Sequence, residues 1–477
     1  MSINRSNYFQ HTKERAMKIL PRMSGWRRMV PLVLAALSAL PVGAGERTLY
    51  GFNPLPPGGT LQTGAYPLGT LLRDRDGALY GATWLDGAHG SGTIFKLAPP
   101  APGQTDWSVS VVYAFTGGLD GDGPNPGLVM DSRGAIYGTT QYGGSSLQGV
   151  AFKLSPPASG GTEWRETVLH NFSYSYVYNL SDGAFPSGGL IMDNQGALYG
   201  ATDLGGSTAD LSGNGFGAVF KLTPVDAGRT QFQETVLYRF SSVVDGQSPM
   251  SALTLDAAGA LYGTTLYGGT GPCSDWLSNI IGCGTVFKVT PPATGNSAWT
   301  KTTLYSFVGG ADGAVPEGRL LLDTDGAVYG ATYQGGPSAC VDWAYSTIGC
   351  GIIFKLTPAA RGGSAWTESI IHTFMGPDGA NPQGGVIMDS TGTLFGSASG
   401  GGPVSYGMVG GYGIVFKLTP PAMGQQSWTQ TVLYSFDVET SGIRPIGELV
   451  RDPAGHLFGV TNSGGTNLGG TIFEIAP

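Results

Sequence analysis

The chain has 477 residues, including 80 Gly and 31 Pro, with 12% charged and 41% hydrophobic residues. This composition is typical of many short strands joined by tight turns, and the regular aromatic and aliphatic clusters argue against disorder. The formal net charge of −8 repels phosphate backbones, so we expect no nucleic-acid partner.

The N-terminus predicts an export signal. Arginines precede a short apolar run, residues 30–40, and small residues suit cleavage after Ala44. We predict a signal peptide over residues 1–44, a repeat domain over 45–477 and a secreted or periplasmic location. The apolar run is short for a membrane span, so we expect none after cleavage; an uncleaved anchor is the alternative.

An Asp-x-x-Gly turn followed by a small apolar strand recurs seven times. Its aspartates are Asp74, Asp131, Asp193, Asp256, Asp323, Asp389 and Asp452. The aromatic residue six positions later is Tyr80, Tyr137, Tyr199, Tyr262, Tyr329, Phe395 or Phe458. Asp and Gly at this spacing predict a type I turn followed by a left-handed glycine, with the carboxylate accepting backbone N–H groups. The motif therefore indicates a scaffold rather than a catalytic site.

One full repeat predicts four strands, at residues 320–322, 327–332, 351–356 and 366–374. The first is apolar at consecutive positions, which indicates burial on both faces, as in an inner propeller strand.

The two ends of the repeat region complement each other. Residues 47–52 resemble a fourth strand, and the chain stops after a third strand at 470–475. Pairing them would close a ring and protect the sheet edges. We predict an all-β fold: a seven-bladed β-propeller of four-stranded antiparallel blades, closed by the N-terminal strand joining the last blade.

Segments such as Gly-Gly-Leu-Ile-Met-Asp, Gly-Ala-Leu-Tyr-Gly and Gly-Thr-Val-Phe-Lys resemble the GloVer tandem repeats of exported bacterial proteins. The resemblance covers about residues 46–477, and the first strand and turn are also loosely similar to NHL-type propeller repeats. It implies no established reaction and supplies no catalytic residues.

Loop lengths predict the working face. The connections between second and third strands, and between fourth and first strands, vary in length, whereas the other two turns do not. In an antiparallel meander both variable sets emerge at one edge, where recognition loops can change without disturbing the fold. The candidate binding residues are aromatics from these loops: Trp84, Tyr142, Tyr176, Tyr267, Trp276, Tyr333, Trp343, Tyr345 and Tyr406. The alternative is that they pack their own loops.

Four cysteines lie in two copies of one loop. Matched spacing in an exported chain without a histidine cluster favours Cys273–Cys283 and Cys340–Cys350 disulfides over a metal site.

A second aspartate set precedes the repeat proline: Asp120, Asp182, Asp245, Asp312 and Asp378. Asp120-Gly121-Asp122-Gly123 has oxygen ligands that suit calcium but lacks the rest of an EF-hand, and an ordinary turn is our main interpretation. We predict no other cofactor. The lysines beside the third-strand Phe predict solvated heads with stems over apolar surface.

We therefore favour a non-enzymatic binding or scaffolding propeller, expected to be monomeric, that recognises an extracellular glycan or envelope protein. The alternative is an exported polysaccharide hydrolase or lyase that uses acids from Asp120, Asp182, Asp312 or Asp378.

Overall fold

Strands alternate with short turns throughout the part of the chain that the structure, a computed structural model, describes. The described residues are 45–53, 63–159, 161–173, 182–206, 215–274, 281–293, 298–338, 340, 349–359, 365–402, 411–425 and 427–476. The predicted signal peptide and the candidates Tyr176, Trp276, Trp343, Tyr345 and Tyr406 lie outside them and stay predictions.

In the described ranges, thirty strands build seven antiparallel sheets. The first is β1 (Glu46–Gly51). Blade 1 contains β2 (Ala65–Arg73), β3 (Leu79–Leu85), β4 (Thr93–Ala98) and β5 (Ser108–Ala114). Blade 2 contains β6 (Asp122–Pro124), β7 (Val129–Met130), β8 (Ile136–Tyr142), β9 (Val150–Ser155) and β10 (Arg165–Asn171). Blade 3 contains β11 (Ala184–Pro186), β12 (Ile191–Met192), β13 (Leu198–Leu204), β14 (Ala218–Pro224) and β15 (Phe232–Arg239).

Blade 4 contains β16 (Thr254–Leu255), β17 (Leu261–Thr265), β18 (Thr285–Thr290) and β19 (Thr300–Ser306). A 3₁₀ turn, Gly310–Asp312, precedes blade 5, which contains β20 (Ala314–Leu322), β21 (Val328–Gln334), β22 (Ile352–Thr357) and β23 (Thr367–Thr373). Blade 6 contains β24 (Val386–Met388), β25 (Leu394–Ala398), β26 (Ile414–Thr419) and β27 (Thr429–Ser435). Blade 7 contains β28 (Ile443–Arg451), β29 (Leu457–Ser463) and β30 (Thr471–Ile475).

The last blade is completed by the first strand. β1 pairs antiparallel with β30, from Glu46 opposite Ile475 to Gly51 opposite Thr471, in a sheet of order β1-β30-β29-β28. The predicted seven-bladed propeller and its closure are confirmed. This pairing satisfies backbone groups of β30 that would otherwise form an open edge.

The inner strand is longer than predicted in blade 5. β20 begins at Ala314, not at residue 320, and its register with β21 shifts between Glu317 and Leu321. The intervening bulge contains Gly318 at φ 79°. A bulge after a proline breaks the period-two pattern, which explains why the sequence indicated only the last three residues.

A ring of buried phenylalanines joins successive blades. Phe374 at the end of the fourth strand of blade 5 packs against Phe416 in the third strand of blade 6, with ring centroids 5.2 Å apart. The equivalent pairs are Phe52–Phe95, Phe115–Phe152, Phe172–Phe220, Phe240–Phe287, Phe307–Phe354 and Phe436–Phe473. All these rings are buried. Each pair adds about 1 kcal/mol beyond burial itself, so these phenylalanines form a core between the blades.

The repeated aspartate organises the first turn of each blade. Asp193 Oδ1 accepts the N–H groups of Gln195 and Ala197, each at 2.9 Å, and Tyr199 donates its hydroxyl to Oδ2 at 3.0 Å. The glycine of the turn, Gly196, has φ 86°. The predicted scaffold role of this motif is confirmed.

We had expected the lysine ammonium groups to lie in solvent, but several of them contact the ring of the strand tyrosine. Lys288 Nζ lies 4.9 Å from the centroid of the Tyr262 ring and 3.6 Å from Asp256 Oδ2. The same cation–π arrangement recurs for Lys96, Lys153, Lys221 and Lys355. The turn carboxylate and the tyrosine face together attract the ammonium group.

Candidate functional site

The two variable sets of connections meet on one side of the propeller. The N–H of Gly336, between β21 and β22, donates to the carbonyl of Gly310, between β19 and β20, at 2.7 Å. The same bond joins Gly144 to Gly118, Gly269 to Val243, Gly402 to Gly376 and Gly465 to Val438. These backbone bonds hold variable loops side by side, as the meander predicts.

We call this side the variable-loop face. Its second-to-third-strand connections are residues 86–92, 143–149, 205–217, 266–284, 335–351, 399–413 and 464–470. Its fourth-to-first-strand connections are residues 52–64, 115–121, 172–183, 240–253, 307–313, 374–385 and 436–442.

The four described aromatic candidates lie at this face, at or just after the end of a second strand, and all are half-buried: Trp84, Tyr142, Tyr267 and Tyr333. Tyr142 packs edge-on against Phe185 of blade 3, with centroids 5.6 Å apart. Tyr267 exchanges backbone hydrogen bonds with Gln247. These contacts belong to loop packing, and all four rings are half-exposed at the face.

In each blade a residue with a strained backbone lies at the start of the inner strand, and together these seven residues form a ring. The sequence analysis missed them. The residue before every repeat proline has a left-handed backbone: Tyr66, Gly123, Phe185, Ser248, Val315, Asn381 and Arg444. Each N–H donates to a carbonyl at the start of a third strand in the preceding blade, as from Phe185 to Gln148 at 2.9 Å. Non-glycine residues there cost about 1–3 kcal/mol each. The constant proline could have indicated this position, but not its conformation.

Carboxylates accompany the aromatic residues of blades 1 to 3. Burial, followed by the charges of Asp203 and Asp122, raises the pKa of Tyr142 to about 12. Burial and the charge of Asp86 likewise raise the pKa of Tyr66. This part of the face therefore combines aromatic surface with negative charge.

Charged groups from blades 5 to 7 form a second cluster, around the central axis. Gln383 Nε2 donates to Glu317 Oε2 at 3.1 Å. Burial raises the pKa of Glu317 to about 7, although the Gln383 hydrogen bond and Arg444 oppose the shift. Burial does the same for Glu448, which Arg319 partly offsets. Both glutamates are half-buried.

The sequence analysis missed this axial cluster, although its residues all lie within three positions of a repeat proline. The equivalent positions in blades 1 to 4 carry uncharged residues, including Leu68, Asn125, Ser187 and Met250. Only the inner-strand placement shows that the charges converge.

The second set of aspartates caps its own loops. Asp120 accepts the Tyr113 hydroxyl at 3.1 Å and the Thr116 N–H at 2.8 Å. Asp312 accepts from Tyr305 and from the Val308 N–H, while Asp182 and Asp378 contact His170 and His372 at 2.7 and 3.1 Å. The aspartates named for the hydrolase alternative are therefore engaged in loop structure.

The segment around Asp120 was also considered for calcium. No group of three or more His, Cys, Asp or Glu residues there could hold a metal ion. Asp120 makes the loop contacts given above, which accords with an ordinary turn.

Both predicted disulfides are present. Cys273 is bonded to Cys283 and Cys340 to Cys350, each with Cα atoms 5.0 Å apart. Such bonds are typical of oxidising compartments. Across the described ranges, no helix is both long and apolar enough to cross a membrane.

The fold and its loops define a disulfide-containing propeller made of tandem repeats, with one constant face and one variable face. The model of the Gloeobacter/Verrucomicrobia repeat matches residues 41–277 and 341–477, and the chain belongs to this family. The resemblance to GloVer repeats is thus confirmed. Comparison with curated proteins gave no match.

Comparison with solved structures gave matches of low sequence identity. A polysaccharide lyase of family PL25, an ulvan lyase, has 11% sequence identity to this chain and a TM-score of 0.51. The match covers 87% of this chain and 94% of the lyase chain. PorZ, a surface component of the type-IX secretion system of Porphyromonas gingivalis, has 13% identity and a TM-score of 0.45, covering 87% and 46%. A gluconolactonase of Xanthomonas campestris has 17% identity and a TM-score of 0.33, covering 70% and 82%. At these identities the likeness concerns fold alone.

Proposed function

We propose that this protein is an exported, non-enzymatic binding propeller that recognises an envelope protein or an extracellular glycan through its variable-loop face. The observation that carries the proposal is the backbone hydrogen bonding between neighbouring variable connections, such as Gly336 to Gly310. These bonds make a continuous surface from loops whose lengths differ between blades. A preorganised surface loses less conformational entropy on binding.

Exposed aliphatic side chains support this surface as the binding face. Ten large hydrophobic residues are exposed in the described part of the chain, and six of them project from variable connections: Leu119, Leu147, Val244, Val308, Met375 and Leu468. Distributed over several blades, they suit a protein partner. The half-exposed rings of Trp84 and Tyr142 are the observation that favours a glycan, since aromatic faces stack on sugars.

Export is supported by the disulfides and by the basic and apolar pattern of residues 1–44. The candidates Tyr176, Trp276, Trp343, Tyr345 and Tyr406 belong to the proposal through their position in variable connections of the sequence.

The hydrolase alternative has less support. Asp120 lies near Glu166, whose pKa burial raises to about 7, and Asp312 lies near the similar Glu368. A carboxylate beside a protonated carboxyl resembles an acid–base pair. The arrangement recurs between several blades, however, which suits a structural interface better than one active site.

The proposal is tested with residues 45–477, a glycan array and identified envelope proteins. Hydrogen exchange should then locate the bound ligand: we expect protection at residues 143–149 and 464–470, with none at the opposite turns 131–135 and 452–456. Trp84→Ala with Tyr142→Ala should weaken glycan retention about tenfold or more, with a melting temperature measured as control. Protection of the opposite turns alone would contradict the proposal, and turnover of a bound polysaccharide would favour the alternative.

A further inference from the structure

The connections of the variable-loop face carry carboxylates, and the arginines nearest to them, Arg239 and Arg444, lie at the ends of the adjoining strands. The fourteen connections contain no Lys or Arg residue. Their described residues include eight acidic ones: Asp86, Asp120, Asp182, Asp245, Asp312, Asp378, Asp437 and Glu439. Such a one-sided distribution creates a negative potential over one face.

The opposite face is different because its carboxylates lie beside cations. Lys288 is 3.6 Å from Asp256, Lys355 is 3.9 Å from Asp323, and Arg229 is 3.7 Å from Asp131. The turns there also contain Arg75 and Arg133. Residues 45–477 contain 18 Lys or Arg and 32 Asp or Glu, which gives a formal net charge of −14, and the sequence of the variable connections accounts for −11 of it.

Most hydrogen bonds to the variable-face aspartates come from neutral donors, which leave the negative charge in place. Asp437 accepts from the Thr440 and Ser441 hydroxyls, and these bonds together with backbone N–H groups lower its pKa despite opposing burial. Burial alone would raise the pKa of Asp378, but hydrogen bonds from His372 and the Met375 N–H outweigh burial, and the pKa is lowered. Asp245 is an exception, with Lys301 at 3.1 Å.

The same face exposes aliphatic groups among these charges. Leu119 precedes Asp120 directly, Val244 precedes Asp245, and Met375 donates its N–H to Asp378 at 2.7 Å. Alternating aliphatic and acidic groups complement long cationic side chains, whose stems are apolar and whose heads are charged.

We propose that the variable-loop face docks a lysine- or arginine-rich protein segment. This inference rests on the proposed binding function and names the chemistry of its partner. Charge complementarity would accelerate encounter and select against acidic partners. The exposed leucines, valines and methionine favour a polypeptide over a polysaccharide. The aromatic rings of Tyr142 and Trp84, near Asp122 and Asp203, offer cation–π contacts to the same side chains.

The direct test measures binding of defined peptides to residues 45–477. The probes are a lysine–leucine repeat, a glutamate–leucine repeat of equal length and a lysine–serine repeat, with chitosan oligomers as a cationic glycan. We expect the lysine–leucine peptide to bind about tenfold or more tightly than each of the others. Its affinity should fall about tenfold or more between about 50 and about 500 mM NaCl, because salt screens exposed charges.

Two matched pairs of substitutions locate the binding. Leu119→Lys with Val308→Lys adds two positive charges to the variable-loop face at exposed positions. Val225→Lys with Met423→Lys adds the same charges at exposed positions of the opposite turns. The first pair should weaken lysine–leucine binding about tenfold, whereas the second should leave it within about twofold. Melting curves of both variants verify folding.

Equal loss in both variants, equal binding of the acidic peptide, or preference for chitosan would overturn the inference. These failures differ from failure of the proposed function. If a neutral glycan or an acidic envelope protein binds the variable-loop face in the exchange experiment, the binding function stands and only the basic partner is rejected.

Discussion

Lys301 Nζ lies 3.1 Å from Asp245 Oδ1 and thereby links the outer strand of blade 4 to the loop that follows blade 3. The equivalent position in blade 6 is Gln430, which donates to the carbonyl of Asp378 at 2.9 Å. In blades 2, 3 and 5 the position is Glu166, Glu234 or Glu368. Equivalent interfaces between blades therefore carry a cation, an amide or a carboxyl group at the same position.

The carboxyl version should make stability depend on pH. Burial first, and the charge of Asp312 second, raise the pKa of Glu368 to about 7. Its folded pKa exceeds the ordinary 4.5, so its proton stabilises the fold fully below about pH 4.5, and this contribution is lost as pH rises through about 7. Glu368→Gln should therefore stabilise the protein by about 1 kcal/mol at about pH 8, after allowance for solvent screening, and leave it unchanged near pH 4.

Urea unfolding at both pH values checks this expectation. The matched control is Gln430→Glu, which should destabilise the protein at about pH 8 and much less near pH 4. A gain from Glu368→Gln of equal size at both pH values would show that packing, not ionisation, controls this interface.

The turn aspartate should be a stability determinant. Asp323 accepts the N–H groups of Asp325 and Ala327 at 3.0 and 2.8 Å and the Tyr329 hydroxyl at 3.1 Å. Asp323→Ala should cost about 2–3 kcal/mol in the free energy of unfolding. Asp325→Ala, in the same turn but exposed, should cost less than about 0.5 kcal/mol. Chemical denaturation measures both, and similar costs would contradict the role assigned to Asp323.

Close approach of the inner strands should make Gly384 intolerant of a side chain. A Cβ there would clash with the carbonyl group of Gly447, and because the nearest atoms are backbone atoms of Gly447 and Glu448, no flexible side chain can move aside. Gly384→Ala should cost about 3 kcal/mol or more. Gly424→Ala is the control: its φ is 85°, but a Cβ would meet nothing within 4 Å, so about 1 kcal/mol is expected. Thermal melts of both variants measure these costs, and an equal cost in the two variants would contradict this expectation.

Each disulfide closes a short loop, and its removal should weaken that loop. Cys340 and Cys350 are separated by 10 positions, for which chain entropy gives about 2–3 kcal/mol. Cys340→Ser with Cys350→Ser should lower the melting temperature and increase hydrogen exchange at residues 335–351, with little change at 464–470, a connection without a disulfide. Faster exchange throughout the chain would instead indicate a global role.

Local chemistry made much of the scaffold readable from the sequence. Asp and Gly at fixed spacing specify the turn through steric limits and carboxylate hydrogen bonds, so Asp193 and Gly196 could be interpreted without a structure. The blade number and the partner of the N-terminal strand followed from counting repeats. Matched cysteine spacing gave both disulfides.

Tertiary structure decided where distant blades converge. Glu317, Gln383 and Glu448 lie far apart in sequence, and only the assembled blades bring these inner-strand regions together, with register shifts in β20 and β28. The positions of the lysine ammonium groups, and the left-handed backbone conformation of the residues before the repeat prolines, likewise depend on groups from other strands or blades. The sequence alone determined the repeat, its turns and the acidic character of the variable loops, because these depend on local bonding and composition. Closure of the ring decided which side chains are buried and which charged groups lie next to each other, because both depend on packing between blades.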